Sequence, residues 1–324
     1  MSDLDARPRS RQGQNKYGLT ELALLTARAR IEGVGTAGFS DILLHLGEFF
    51  EFCRGLGLQA EAEAGRFGVY RVRIDHLNAE ISRLRSGEAR IAIYGKLAAD
   101  LPRYLVALAE SQKISGLLPF LHTCPAEVLV PRLRAILAGP ELPSEEDQAS
   151  NQARNIQFEL WLATTLWRVG VSVTLGEPDL RCKIGGATIL FACKRLLTVR
   201  NLTKRINEAT DQLRRSVARL PGGASWGVIA ISLSRVLATT DRSEAIANRA
   251  EGLERLASRI EACIVRRAKW RQTREAQGIL FYAASMFTKS ETDRIESGRF
   301  VTMYGDGPVC RAVAVKLQSA ADGH

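Results

Sequence analysis

Two short alternating segments joined by a glycine pair constrain this chain more than any other feature. Residues 178–184 and 187–195 are rich in strand-forming side chains, and only Gly185 and Gly186 separate them. Tight hairpin loops require positive φ at their central positions, which glycine adopts without steric cost. The segments are therefore predicted to form an antiparallel hairpin. A further strand is predicted at 171–175, and residues 152–169 before it show the periodicity of an amphipathic helix ended by Gly170. Beyond the hairpin the pattern predicts a helix over about 202–219, a strand at 226–233, a long helix over about 243–274 and a strand at 278–286. The order is α-β-β-β-α-β, then α-β, which places this part of the chain in the α/β class.

Upstream the pattern differs. From residue 17 to 139 apolar residues recur at three and four, as in Ile42, Leu46, Phe49 and Phe50 or Leu105, Leu108 and Ala109, predicting an all-helical domain. The run of Phe49, Phe50 and Phe52 reads as core, with a partner-binding stripe as the alternative. Residues 140–150 combine Pro140, Pro143 and an acidic cluster, and read as a linker. Residues 1–16 lack apolar periodicity and read as a disordered basic tail. The division is thus a tail at 1–16, a helical domain at 17–139, a linker at 140–150 and an α/β domain at 151–324.

Charge separates these parts. The chain carries a net charge of +10, and residues 146–324 hold 27 of its 45 lysines and arginines against 18 of its 35 acidic residues. A concentrated positive field attracts polyanions, making DNA, and after it RNA, the first partners to expect. No run approaches the length of a membrane-spanning helix and the first residues do not form a signal peptide, so a cytoplasmic protein without a membrane partner is expected. The six cysteines form no CxxC pair and the four histidines show no metal-ligand spacing. Buried, reduced thiols are expected rather than a zinc site.

Alternate residues of a strand share a face, which groups Asp179 with Arg181 and Lys183, and Ala192 with Lys194. The hairpin then brings an acid near the start of one strand beside a lysine near the end of the next. A carboxylate can hold a divalent metal that acidifies a water, while a lysine orients that water and supports charge developing on a phosphate. The bland alternatives are a turn residue for Asp179, a surface lysine for Lys194 and a solvent-facing helix residue for Glu159. Cys193 lies on the opposite face from Lys194 and reads as core.

Through Glu177-Pro178-Asp179 on one strand and Ala192-Cys193-Lys194-Arg195 on the next, the sequence resembles the PD-(D/E)XK nuclease superfamily over roughly residues 151–290. The resemblance implies a restriction-endonuclease-like αβββαβ core and metal-dependent phosphodiester hydrolysis with Mg²⁺ or Mn²⁺. It assigns metal binding to Asp179, the catalytic lysine to Lys194 and the helix glutamate to Glu159. A bacterial restriction, repair or defence setting is part of the same implication. The chain departs from the pattern at Ala192, where an acid is expected, and a methyl group ligates no metal. Glu159, or next Glu177, supplies the acid; or the domain is a silenced nuclease; or Ala192 is an engineered inactivation. The element after the lysine strand borders the site in the resembling family, so Arg195, Arg200, Lys204, Arg205, Gln212 and Arg215 are expected to meet nucleic acid. A second basic cluster, from Arg266 to Arg274, surrounds Trp270, whose ring is either a base-stacking surface or part of a solvated helix end. The rivals are a catalytically dead nucleic-acid binder and a protein-interaction subunit. The helical domain would supply target choice, a homo-oligomer contact or a partner surface.

Overall fold

A computed structural model describes residues 28–29, 39–85, 90–147, 150–220, 225–237, 243–246, 249–267, 270, 272–273, 275–289, 294–305 and 307–322. The basic tail at 1–16 lies outside the described residues, as do Lys269, Arg271 and Arg274 and the side chains of Arg266 and Arg267.

After a two-residue strand β1 (Arg28–Ala29), the first half of the chain is helical: α1 (Phe39–Gly55), α2 (Gln59–Ala64), α3 (Arg66–Arg85), α4 (Arg90–Ser115), α5 (Leu118–Leu121) and α6 (Ala126–Leu137). The second half alternates. It runs α7 (Gln152–Arg168), β2 (Ser172–Leu175), β3 (Leu180–Ile184), β4 (Ala187–Arg195), α8 (Leu202–Ala218), β5 (Ser225–Ser232), β6 (Ser243–Ile246), α9 (Arg249–Arg267), β7 (Gly278–Lys289), β8 (Arg294–Tyr304) and α10 (Pro308–Asp322). The expected order α-β-β-β-α-β is that of α7 through β5.

The strands form one mixed sheet in the order β1-β8-β7-β5-β4-β3-β2, with β6 added beside β7. β2, β3 and β4 are antiparallel neighbours, whereas β4, β5 and β7 run parallel. Gly185 and Gly186 take φ of 58° and 80°, the conformation that only glycine enters freely, and close the β3–β4 hairpin at Ile184 and Ala187.

A parallel strand needs cover on both faces, and β4 has it. Phe191 and Cys193 face a core shared with α7 and the N-terminal helices; Leu190 and Ala192 face a second core built with α8 and α9. The first core is continuous from Leu46 and Phe49 of α1 to Leu317 of α10, so one hydrophobic cluster spans the helical and α/β parts of the chain. α7 lies between them, and thirteen of its residues are buried. Trp161 packs tilted against Tyr282 of β7 and Phe158 stacks on it, at centroid distances of 4.1 and 5.3 Å. α8 is covered on one side only: Leu202, Ile206, Ala209 and Leu213 face the sheet.

The structure corrects two expectations. The start of the long helix expected over 243–274 is instead the strand β6, which extends the parallel ladder along the far end of β7. Trp270 is 6% exposed within the second core, so its ring is packed against apolar neighbours and is no base-stacking surface. The six cysteines are all free thiols and five are buried. Among the described residues no helix is long and apolar enough to cross a membrane.

Candidate active site

β3 begins one residue after Asp179, and its register pairs Leu180 with Phe191. Continuing that register sets Asp179 against the Ala192–Lys194 end of β4. There the backbone N–H of Cys193 donates to Asp179 Oδ2 at 2.6 Å, and Lys194 Nζ stands 3.8 Å from the same oxygen. The acid and the lysine thus meet by strand geometry, fifteen residues apart in sequence.

Gln212 of α8 joins the two. Its amide nitrogen donates to the carbonyl of Pro178 at 2.7 Å and to Asp179 Oδ1 at 3.2 Å, while its oxygen accepts from Lys194 Nζ at 2.6 Å. A side chain that hydrogen-bonds both partners restricts their rotamers and pre-orients the pair. Glu159 approaches from α7, is 6% exposed and accepts a hydrogen bond from Asn155 at 2.7 Å. Asn155 went unrecognised in the sequence; its spacing of four from Glu159 on one helix face was the available signal.

Burial shapes the electrostatics. Desolvation, followed by the charge of Asp179, pushes the Glu159 carboxyl up to about 8, against the pull of Arg132, Lys194 and Asn155. Asp179 rises to about 6, again through desolvation first, although Lys194, the Cys193 N–H and Gln212 favour its anion. Burial drives both carboxyls upward, and the positive charge of Lys194 beside both and of Arg132 near Glu159 offsets it only in part. A hard divalent cation bound by oxygen would add the missing positive charge, and Mg²⁺ is commonly held by one or two carboxylates with waters completing its shell. The donor set of Glu159 and Asp179 therefore fits Mg²⁺ or Mn²⁺. Glu177, the other expected ligand, is exposed and lies beside Asp179 in sequence, close enough to raise its pKa slightly. No cluster of three or more potential metal-binding side chains occurs among the described residues.

The same shifts make a prediction. Raised carboxyl pKa values mean that the native protein binds more protons than the unfolded chain between the ordinary carboxylate range and about pH 8. Stability in metal-free buffer therefore falls as pH rises from about 4 to 8. Urea midpoints across that range are expected to decline for this chain and to decline less for Glu159→Gln; equal slopes would contradict the assignment.

Ala192 is fully buried in the apolar cluster with Leu190, Ile229 and Ile231. A groove of about 510 Å³ opens beside Lys194, walled by Asn151, Gln152, Asn155, Arg205, Gln212 and Arg215 among others. Of the residues expected to meet nucleic acid, Arg195, Arg205, Gln212 and Arg215 line this groove. Arg200 and Lys204 are exposed beyond its rim. Arg195 reaches the groove wall but is 6% exposed, and its guanidinium pairs with the buried carboxylate of Glu146. No protein-family model matches this chain, and no curated protein matches it.

Proposed function

We propose that the chain from about 151 to 290 is a restriction-endonuclease-like unit of the PD-(D/E)XK type that hydrolyses DNA phosphodiester bonds with Mg²⁺ or Mn²⁺. The observation that carries this reading is the junction of Asp179, Lys194 and Gln212 at the open end of the β3–β4 hairpin, with the Glu159 carboxyl close enough to feel the charge of Asp179. Glu159 and Asp179 would hold the metal, whose chemistry is to acidify a bound water and offset charge on the phosphate. Lys194, held by Gln212, orients the attacking water and faces the developing negative charge. Arg205 and Arg215 hold backbone phosphates along the groove.

Supercoiled DNA, single-stranded DNA and RNA incubated with Mg²⁺, Mn²⁺ or a chelator test the activity, with DNA cleavage expected in either metal and none in the chelator. Binding is tested separately. Each neutralised phosphate contributes roughly −0.9 to the slope of log affinity against log salt on duplex DNA. Arg205→Ala combined with Arg215→Ala is expected to flatten that slope by about 2. An unchanged slope would remove the groove from the interface.

A second reading has its own observation. Ala192 stands where the resembling family places an acid, and it is packed in apolar surroundings. A nuclease fold that binds DNA without cutting it would show the same salt slope with no metal-dependent product.

A further inference from the structure

Behind the groove, separated from it by Arg195, lies a second cavity between the helical layer and the sheet. Its volume is about 40 Å³, and its polar lining comes from Glu110 and Lys113 of α4, Arg154 and Gln157 of α7, Arg195 of β4, Ser232, Ser234 and Tyr282. The lining is rich in donors. Lys113, Arg154 and Arg195 present three cations there; against them stand Glu110 in the wall and the buried Glu146 that pairs with both arginines, an excess of one cation.

Existing partners do not use all of these donors. Lys113 donates to Glu110 at 2.7 Å, Arg154 donates to Glu146, Tyr70 and the carbonyl of Glu141 and has its Nε 3.3 Å from Glu110, and Arg195 pairs with Glu146. Gln157 is only 4% exposed, and its amide oxygen accepts from Arg66 Nη2 at 2.7 Å. That contact fixes which way the amide points and leaves its Nε2 with no acceptor. A buried amide donor without a partner is costly, and it stands in a cavity already surplus in positive charge.

We propose that this cavity is a binding site for a small tetrahedral oxyanion of the phosphate class, held by Lys113, Arg154, Arg195 and the free amide donor of Gln157. An acceptor-only ligand satisfies the Gln157 donor and balances the excess charge in one step. Size selects the ligand as well: a water occupies roughly 10–15 Å³ on this measure, so the space equals about three waters and excludes a nucleoside. Occupancy would join α4, α7 and the end of β4 at the residue after Lys194.

Thermal unfolding of the full chain in chelator, with inorganic phosphate added against chloride at matched ionic strength, tests the site. At about 100-fold excess over the dissociation constant, the midpoint is expected to rise by about 4 °C. Gln157→Glu preserves an acceptor for Arg66 while turning the free donor into a repelling oxygen, so that variant should fold normally and lose the response. Lys194→Ala, altered only in the groove, should keep it. Three results would overturn the proposal: no rise beyond the chloride control, a rise abolished by Lys194→Ala, or a rise produced by a nucleoside monophosphate and not by inorganic phosphate.

Discussion

Asp179→Asn is expected to reduce metal-dependent DNA cleavage by about 10³-fold or more while leaving the protein folded. The amide keeps an oxygen to accept from the Cys193 N–H, so the hairpin end retains its 2.6 Å contact. What it loses is the negative charge that would hold the metal and face Lys194. Metal-assisted charge stabilisation is worth several kcal/mol, and each 1.36 kcal/mol is tenfold in rate, which sets the size of the effect at about three orders of magnitude. Stability should move the other way. Because burial raises the Asp179 carboxyl to about 6, its anion costs folding energy at neutral pH, and the neutral amide removes that cost. Cleavage by Asp179→Asn at the native rate would end the nuclease reading. Ala192→Glu belongs in the same assay: cleavage by that variant alone would identify a silenced nuclease, and absence of both cutting and DNA binding in every variant would make the sheet purely architectural.

Glu146→Ala is expected to destabilise the fold by roughly 3–5 kcal/mol, the range found when one partner of a buried ion pair is removed. The Glu146 side chain is fully buried; Oε1 accepts from Arg154 Nη1 at 2.9 Å and Oε2 pairs with Arg195. Without it Arg195, on the strand that carries Lys194, loses its paired carboxylate, and Arg154 on α7 keeps only Glu110, 3.3 Å from its Nε. Burial already lowers the Arg195 pKa to about 9. Urea unfolding is the measurement, and Glu145→Ala is the control. Glu145 is exposed and only accepts from the backbone N–H of Leu142, so its loss should stay within about 1 kcal/mol. Equal effects at the two positions would show that the buried network does not hold the layers together.

These neighbouring glutamates mark where a one-dimensional reading stops. In sequence, Glu145, Glu146 and Asp147 form one acidic run in a proline-containing linker. In space, the middle one enters the interior and its neighbours face solvent. Nothing in the run distinguishes them, because the arginines that call for a carboxylate lie 8 and 49 residues away. Arg195 shows the converse: a basic residue beside a motif lysine reads as a surface contact, and a distant glutamate draws it inward. Trp270 likewise sits among arginines in sequence and among apolar side chains in the fold.

The parts legible in advance were set by local physics. Gly185 and Gly186 dictated a turn that few other residues could make, strand periodicity set the faces of β3 and β4, and together they placed Asp179 near Lys194 before any coordinates. Apolar spacing likewise marked α7 as an amphipathic helix. Only tertiary structure decided the rest: the strand β6 beside β7, the burial that raises the Glu159 and Asp179 carboxyls, the Gln212 bridge and the cation-rich cavity behind Arg195. Those features depend on which distant segments pair and on how much water they exclude. Desolvation belongs to the assembled layers, so no short stretch of sequence carries it.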